Sequence, residues 1–397
     1  MPPILTQQAF VKATVTNFFF FASLNCFVLL PLYIQQLGGT EVAVGVVMGI
    51  YSGVGILCQP LVGPWVDALG RRPFMILGAV LVLASSLLAF VATAVPLLAV
   101  VRAMQGLGFS AFFVANYSYV IDLVPVERRG WALGIYGVSG MASTALAPLF
   151  GEMIIRRFGF RALFVGCGLL ALITCAFLWT LREQPRTDVP PVPELTSTRI
   201  MLEDVFHRHM AIAVFFGLGS GTMFAFLPTF GEHIGVRTLA LFYTAYAGAA
   251  MGVRVAGGHW IDTRGRRAVI VPSMFLQAVA SAILAALAFL VSRVSGLPTL
   301  PALFVAGLIA GGAHGFLYPG LAALVADQAH EARRGAVVGV FSAVFLAGNS
   351  GGAFAFGWVA HHLGYGVMWS VLAVLLFAGA LLSLGLPHPR PRLLTEG

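Results

Sequence analysis

A short charged stretch occurs twice in this chain, each time between two long apolar runs. In each copy an aspartate is followed three positions later by a glycine and then by two arginines. An acid near a helix end, a glycine free to turn and two arginines suit a tight cytoplasmic connection between membrane helices. Equal spacing in matching places indicates an internal repeat. The corresponding residues, offset by 195 positions, are Asp67, Gly70, Arg71 and Arg72 in the first copy and Asp262, Gly265, Arg266 and Arg267 in the second.

The composition places the chain in a lipid bilayer. Hydrophobic residues make up 59% of it and charged residues only 10%, whereas soluble domains are typically about a quarter charged. The net charge of +8 comes from basic residues in short loops between apolar runs, which is a topology signal and not a nucleic-acid surface. The four cysteines lie inside apolar runs with no metal-binding spacing, so we expect small buried side chains and no metal site.

Twelve apolar runs form two groups of six, and their lengths of about twenty residues predict helices. The first run is long enough to span a membrane and has no cleavage site, so we do not interpret it as a signal peptide. The fold class expected is an all-α membrane protein with two six-helix bundles, residues 1–181 and 208–397, joined by a polar, proline-rich linker, 182–207. The predicted spans are 13–34, 42–66, 74–92, 96–121, 131–155 and 161–181, then 209–231, 239–262, 269–291, 299–326, 335–359 and 365–386.

The distribution of basic residues predicts the orientation. If both termini are cytoplasmic, sixteen lysines and arginines lie in cytoplasmic segments and five in outer loops. This asymmetry is the positive-inside pattern. We therefore expect a multi-pass protein of the cell inner membrane with both ends inside.

A second repeat supports the division into halves. Asp122, followed by Arg128-Arg129-Gly130, returns as Asp327, followed by Arg333-Arg334-Gly335, at an offset of 205 positions. Two six-helix halves in parallel orientation pack about an axis along the membrane normal. Such proteins hold a substrate site near the midplane between the halves.

Three stretches resemble the major facilitator superfamily. They are Gly63-x-x-x-Asp67-x-x-Gly70-Arg71-Arg72, Arg102-Ala-Met-Gln105-Gly106-x-Gly108 and Ala147-Pro148-Leu-Phe-Gly151-Glu152. The first matches the family's signature loop between its second and third helices, and the second resembles its membrane-embedded arginine motif. The third is a degenerate form of the Gly-Pro-x-x-Gly-Gly pattern that antiporters often carry. The resemblance implies the twelve-helix transporter fold, and its drug and small-molecule efflux branch implies exchange against protons.

Four ionisable residues inside predicted spans are candidates for substrate binding or proton coupling. Arg102 is too deep to reach the interface, so it either faces the cavity or bonds to neighbouring carbonyls. Arg254 belongs either to the cavity or to the cytoplasmic gate. Glu152 is the acid best placed for protonation, or else an exposed carboxylate beside Arg156 and Arg157. His314 either titrates at the site or is a neutral histidine with one backbone bond.

Further polar residues in the spans add hydrogen-bonding groups that are either structural or part of the site. With the arginines and His314 they predict a polar, basic cavity, which favours a neutral or anionic substrate over a cation. The residues are Asn25, Asn116, Tyr318 and Asn349.

The repeated loops predict a gate. We expect Asp67 to attract the start of the eleventh span with Arg333 or Arg334, and Asp262 to mirror it at Arg128 or Arg129. Such contacts would stabilise the outward-open state and break when the cytoplasmic side opens. Gly45, Gly49 and Gly53 form a stripe of small residues that would let helices approach and slide.

Together these features predict a secondary transporter that works by alternating access, most consistent with proton-coupled efflux of a small organic molecule. Uptake or facilitated diffusion of an anionic metabolite, and transport of an amphipathic lipid, remain alternatives. No nucleotide-binding motif or catalytic constellation occurs in the sequence, so we expect neither an enzyme nor a cofactor, and the proton gradient as the energy source. We expect a monomer whose partners are the substrate, protons and lipid.

Overall fold

The computed structural model of the protein describes residues 8–124, 129–183, 208–236, 238–294, 296–328 and 334–386. Every regular element in these ranges is helical, which confirms the all-α class. Apart from its first two residues, the linker predicted over 182–207 lies outside the described residues. The same is true of Arg128 and Arg333, two of the predicted gate residues.

The helices fall into two runs separated by that linker. The first run is α1 (Gln8–Asn25), a 3-10 turn (Cys26–Leu29), α2 (Leu30–Gln36), α3 (Glu41–Leu69), α4 (Arg71–Val91), α5 (Val95–Leu123) and α6 (Arg129–Thr180). The second run is α7 (Arg208–His233), α8 (Ala240–Thr263), α9 (Arg266–Leu290), α10 (Thr299–Gln328) and α11 (Arg334–Ser383).

Within the described ranges, nine helical segments are long and apolar enough to cross a membrane. Two of them lie in α6 and α11, which have 52 and 50 residues. At about 1.5 Å per residue these lengths exceed twice the roughly 30 Å apolar thickness of a bilayer. Each is interrupted by one glycine with a left-handed backbone, Gly159 at φ 78° and Gly364 at φ 81°. One non-helical residue therefore divides each of α6 and α11 into two helical segments.

The packing separates the helices into two halves. In the first half α1 packs on α6, and α5 packs on both α3 and α4; in the second half α11 packs on α7 and α9, and α10 on α8 and α9. The main contacts between halves are α3 against α11 and α6 against α8. The cleft between the halves is therefore bordered by these four helices.

The two halves repeat one close helix contact. A Cβ atom at Gly106 in α5 would lie 2.4 Å from the Tyr51 carbonyl oxygen in α3. A Cβ atom at Gly311 in α10 would lie 2.0 Å from the Tyr246 carbonyl oxygen in α8. The glycines are 205 positions apart and the tyrosines 195 positions apart, as in the two sequence repeats. The repeat in the sequence is therefore also a repeat in backbone packing.

The repeated loops at Gly70 and Gly265 connect antiparallel helices, and both glycines have positive φ, 113° and 86°. The arginine after each glycine pairs with the aspartate at the end of a neighbouring helix of the same half. Arg71 lies 2.7 Å from Asp122, and Arg266 lies 3.1 Å from Asp327. In each half, the arginine of the first sequence repeat therefore forms an ion pair with the aspartate of the second.

The predicted gate contacts between halves stay a prediction. The side chains that they require lie outside the part of the chain that the structure describes. These are Asp67, Asp262, Arg129 and Arg334, together with Arg128 and Arg333.

Glu183 caps the start of α4, next to the turn at Gly70. Its carboxylate oxygens accept hydrogen bonds, each 2.9 Å long, from the backbone N–H groups of Arg71 and Arg72. We expect Glu183→Ala to lower the free energy of unfolding by about 1 kcal/mol, the usual cost of a lost exposed cap, and the Tm by about 2–4 °C. Thermal unfolding of the purified protein measures this shift. Glu232→Ala, an exposed carboxylate at the other end, is the control and should leave the Tm unchanged; equal Tm values for the two variants would contradict the cap.

Candidate functional site

The halves are joined at one end of the bundle, which we call the Glu41 end. The following hydrogen bonds between described residues of the two halves lie between this end and the middle of the helices. At the α3–α11 border, His361 pairs with Glu41 (3.1 Å), Ser350 donates to the Gly49 carbonyl (2.9 Å) and Ser52 donates to Asn349 (2.8 Å). At the α6–α8 border, the Ala240 N–H donates to Glu152 (2.8 Å) and Thr244 donates to the Ala145 carbonyl (3.3 Å).

The predicted glycine stripe of α3 marks where the halves part. A Cβ atom at Gly45 would lie 2.4 Å from the Ala353 carbonyl oxygen, and Gly49 contacts the Phe354 ring. Continuing the four-residue spacing beyond Gly53 leads to Leu57 and Leu61, which are 71% and 52% exposed. The same face of α3 is therefore packed on α11 near the Glu41 end and free of it further along.

The contact between α6 and α8 also ends with increasing distance from the Glu41 end. Beyond Thr244, neither Gly248 nor Gly252 of α8 has a heavy atom within 4 Å of a Cβ position, and Val255 is 76% exposed. Gly134 of α6 is equally open. Among the described residues, the halves are thus in contact at the Glu41 end and apart towards the opposite end, which carries the Gly70 and Gly265 turns and which we call the Gly70 end.

Arg102 faces the protein interior, and its position in the substrate cavity stays a prediction. It is 7% exposed, and its guanidinium carbon lies 4.4 Å from the ring centroid of Tyr51. Its Nη1 donates to Gln105 Oε1 at 2.9 Å, whereas its Nε has no hydrogen-bond partner among the described residues. Within the described ranges, the positive charge is therefore stabilised by an aromatic face and an amide, and not by a carboxylate.

Glu152 lies in the closed part of the interface. It is 8% exposed, so the alternative of a freely exposed carboxylate is wrong. One carboxylate oxygen pairs with Arg156, one turn further along α6, and the other accepts from the Ala240 N–H in the other half. Ala240 is the first residue of α8, so the negative charge of Glu152 sits at the positive end of that helix.

The second half brings Arg254, His314 and Tyr318 together. Arg254 lies close enough to both other side chains to interact with them electrostatically, and its Nη1 lies 3.8 Å from the Cβ position of Gly137 in the first half. The His314 ring is 5.5 Å from the Tyr246 ring, and His314 Nδ1 has no hydrogen-bond partner in the described ranges. The sequence suggested either a titrating histidine or a neutral one held by a backbone hydrogen bond. The described residues provide no such hydrogen bond to His314 Nδ1.

The predicted asparagines have different surroundings. Asn25 donates to Ser143 (2.8 Å) and Thr144 (3.1 Å), and Asn116 donates to the Tyr136 hydroxyl (3.0 Å). These bonds tie helices of the first half to one another. Asn349 instead accepts from Ser52 across the halves, so it belongs to the closed interface.

An aromatic cluster on the first half was not singled out from the sequence. Tyr51, Phe109, Phe113 and Tyr117 form a chain with centroid distances of 5.6, 5.3 and 6.0 Å. Phe109, Phe113 and Tyr117 are spaced by four residues on α5, so helical periodicity was a signal that could have identified them. Tyr51 could have been found from its repeat partner Tyr246.

Apolar helices in two repeated halves, which are joined at one end and lie apart towards the other among the described residues, are the architecture of a multi-pass membrane transporter. The chain belongs to the Major Facilitator Superfamily, whose family model matches residues 13–300 and 238–397. This confirms the resemblance seen in the sequence, and it identifies the protein as a transporter of that family.

Similar proteins include exporters. The staphylopine export protein of Staphylococcus aureus (strain Mu50) is 23% identical over 391 residues, which are 95% of this chain and 96% of the relative. Multidrug resistance protein MdtL of Klebsiella pneumoniae (strain 342) is 28% identical over 164 residues, 41% of each chain.

Solved structures share the fold. The human organic anion transporter MFSD10 superposes with a TM-score of 0.71 at 17% identity, over 96% of this chain and all of that one. A D-xylose–proton symporter superposes with a TM-score of 0.74 at 16% identity, over 96% of this chain and 97% of that one. At these identities the likeness concerns the fold alone.

Proposed function

We propose that the protein is a proton-coupled exporter of a small organic molecule, neutral or anionic, that works by alternating access in the inner membrane. The observation that carries this proposal is the carboxylate of Glu152, which bridges the halves at the closed end of the cleft. The names of the relatives, an export protein and a multidrug resistance protein, support the outward direction.

The orientation and the number of crossings are part of the proposal. With Gly159 and Gly364 dividing α6 and α11, and with α8 included, the chain is proposed to cross the membrane twelve times, so that Gln8 and Leu386, the first and last described residues, lie at the Gly70 end. The excess of arginine in the segments at that end supports a cytoplasmic position for it. The cleft is then open to the cytoplasm, the state in which an exporter loads its substrate.

Glu152 is proposed to bind its proton in the outward-open state and to release it in the inward-open state, as export driven by the proton gradient requires. An ionised Glu152 accepts a charge-assisted hydrogen bond from the Ala240 N–H and pairs with Arg156, and such bonds are roughly twice as strong as neutral ones. Adding a proton removes the charge and weakens both contacts. Because Ala240 belongs to the other half, the loss loosens the α6–α8 border and favours the outward-open state.

This proposal predicts that Glu152→Gln uncouples transport from protons. The amide keeps the shape of the side chain but has no charge to neutralise, so we expect substrate-driven proton movement to fall to the level of protein-free liposomes. The measurement is the internal pH of proteoliposomes after addition of naphthalene-2-sulfonate, naphthalene-2-sulfonamide or ethidium, which represent an anion, a neutral molecule and a cation.

Glu232→Gln is the matched control, since Glu232 is an exposed carboxylate at the same end of the bundle. Proton movement should be unchanged in this variant. If Glu152→Gln moved protons as fast as the wild-type protein for a transported probe, the proposed coupling would be wrong.

Uptake or facilitated diffusion of an anionic metabolite is the second candidate. The two arginines of the cleft, for which the described residues provide no carboxylate partner, favour it. Under this alternative an anion would equilibrate across the liposome membrane without a pH gradient, and Glu152→Gln would have little effect on its rate.

A further inference from the structure

The cleft carries positive charge that the described part of the protein does not neutralise. Arg102 and Arg254 both lie well inside membrane helices, and the Nε atom of each lacks a hydrogen-bond partner among the described residues. The ion pairs among the described residues all involve carboxylates near helix ends or turns. Neither Arg102 nor Arg254 takes part in one of them. A lone buried charge is costly, and the cost is recovered when a counter-charge binds.

Arg254 is the more accessible of the two arginines. Arg102 is covered by Tyr51 and bonded to Gln105, whereas Arg254 is only partly buried and stands where the cleft opens. It projects from α8 to within 3.8 Å of the Cβ position of Gly137 on α6. A ligand that enters from the Gly70 end therefore meets the guanidinium of Arg254 between the two halves.

Aromatic side chains surround this position from both halves. Tyr318 and Phe345, with centroids 5.6 Å apart, are partly exposed in the second half. In the first half Phe113 and Tyr117 are partly exposed, and the side chain of Tyr117 lies near that of Tyr318 across the cleft. Rings on both walls suit a flat apolar body, because aromatic rings pack favourably against one another in stacked or edge-to-face arrangements.

We propose that the substrate is an organic anion with an aromatic body, whose oxyanion binds the guanidinium of Arg254 and whose rings lie between Tyr117 and Tyr318. The planar fork of an arginine binds a carboxylate or sulfonate through two parallel hydrogen bonds. The unpaired Nδ1 of His314, next to Arg254, offers a further polar group. This inference rests on the proposed transport function. It adds the charge of the substrate and names Arg254 as the residue that recognises this charge.

The test measures binding of three probes to the purified full-length protein in lipid nanodiscs by isothermal titration. The probes are naphthalene-2-sulfonate, naphthalene-2-sulfonamide and 2-naphthylmethylammonium, which share the ring and differ in charge. We expect the sulfonate to bind at least about 10-fold more tightly than the other two, the usual gain from a charged hydrogen-bonded pair.

Arg254→Ala should weaken sulfonate binding by about 10- to 100-fold and leave sulfonamide binding within about 3-fold, because only the charged pair is lost. Arg254→Lys should restore part of the affinity, since a lysine keeps the charge and loses the fork. Arg293→Ala removes an exposed arginine near the Glu41 end and should change nothing.

Equal or tighter binding of the sulfonamide or the ammonium by the wild-type protein would overturn the proposal, even if the Arg254 variants did not fold. Sulfonate affinity that is unchanged in Arg254→Ala would also overturn it. The proposed function fails separately. If the sulfonate binds as expected but moves no protons in liposomes, the anion site is supported and the proposed proton coupling is wrong. Proton-coupled efflux of ethidium alone would instead contradict the anion site and leave the proposed coupling in place.

Discussion

A valine at Gly45 should hold the Glu41 end of the bundle open and stop transport. Even a Cβ atom there would lie 2.4 Å from the Ala353 carbonyl oxygen and 3.1 Å from the Gly357 Cα, and both atoms belong to the backbone of α11. The two methyl groups of valine leave α3 no position from which to reach α11. Overpacking of about 1–3 kcal/mol, present only in the closed state, shifts the conformational equilibrium by about 5- to 150-fold.

Distances between spin labels report this shift. Labels at Gln36 and Leu363 place one exposed probe on each half at the Glu41 end, and labels at Leu69 and Leu384 do the same at the Gly70 end. In Gly45→Val we expect the first distance to lengthen and the second to shorten, and transport to fall in proportion to the lost closed state.

Gly63→Val is the control on the same helix. Gly63 has no heavy atom within 4 Å of its Cβ position, so the valine meets no obstacle in the state described. The Gln36–Leu363 distance should stay short in this variant. If both valines gave the same distances, the close α3–α11 contact would not be what seals the Glu41 end.

Gly311→Ala should be among the most destabilising single substitutions in the second half. The added Cβ atom would lie 2.0 Å from the Tyr246 carbonyl oxygen and 2.6 Å from its carbonyl carbon. Backbone atoms inside a helix cannot rotate away as a side chain can, so α8 and α10 must move apart. We expect a loss of about 3 kcal/mol and a Tm lower by about 6–12 °C, measured by thermal unfolding.

Gly312→Ala is a sharp comparison, because the substitution is identical and the position is adjacent. The nearest atom to a Cβ at Gly312 is the Val253 Cγ2, at 3.9 Å, which is ordinary contact. Alanine is favoured over glycine in a helix by up to about 1 kcal/mol, so this variant should be neutral or slightly more stable. Similar Tm values for the two variants would show that the repeated glycine–tyrosine contact is not close in the membrane.

The positions of the helices could be read from the sequence with errors of a few residues. The span predicted over 74–92 is α4, Arg71–Val91, and the first predicted span, 13–34, is extended at both ends by α1 and α2, Gln8–Gln36. Membrane spans are predictable because the bilayer requires about twenty apolar residues in succession, a local property of the chain. Gly159 and Gly364 lie in the predicted breaks, 156–160 and 360–364, but only the structure shows that the helix resumes directly after each of them.

The surroundings of the candidate residues were less predictable. Sequence alone indicated that Arg102 and Glu152 were unusual, because charge inside a membrane span is rare. It left open which way each side chain points. The cap that Glu152 forms on α8 joins residues 88 positions apart, and the ring of Tyr51 lies over an arginine 51 positions later in the chain.

The sequence by itself determined that the chain crosses a membrane, that it is built from two related halves and that basic loops lie on one side. These properties follow from the hydrophobicity, spacing and charge of neighbouring residues, which the chain carries in any conformation. Only the tertiary structure decided which end of the cleft is closed, which carboxylate joins the halves and which arginine is left facing the opening. Those outcomes depend on how two separately folded surfaces fit together, and contacts between distant residues leave no periodic signal in either segment.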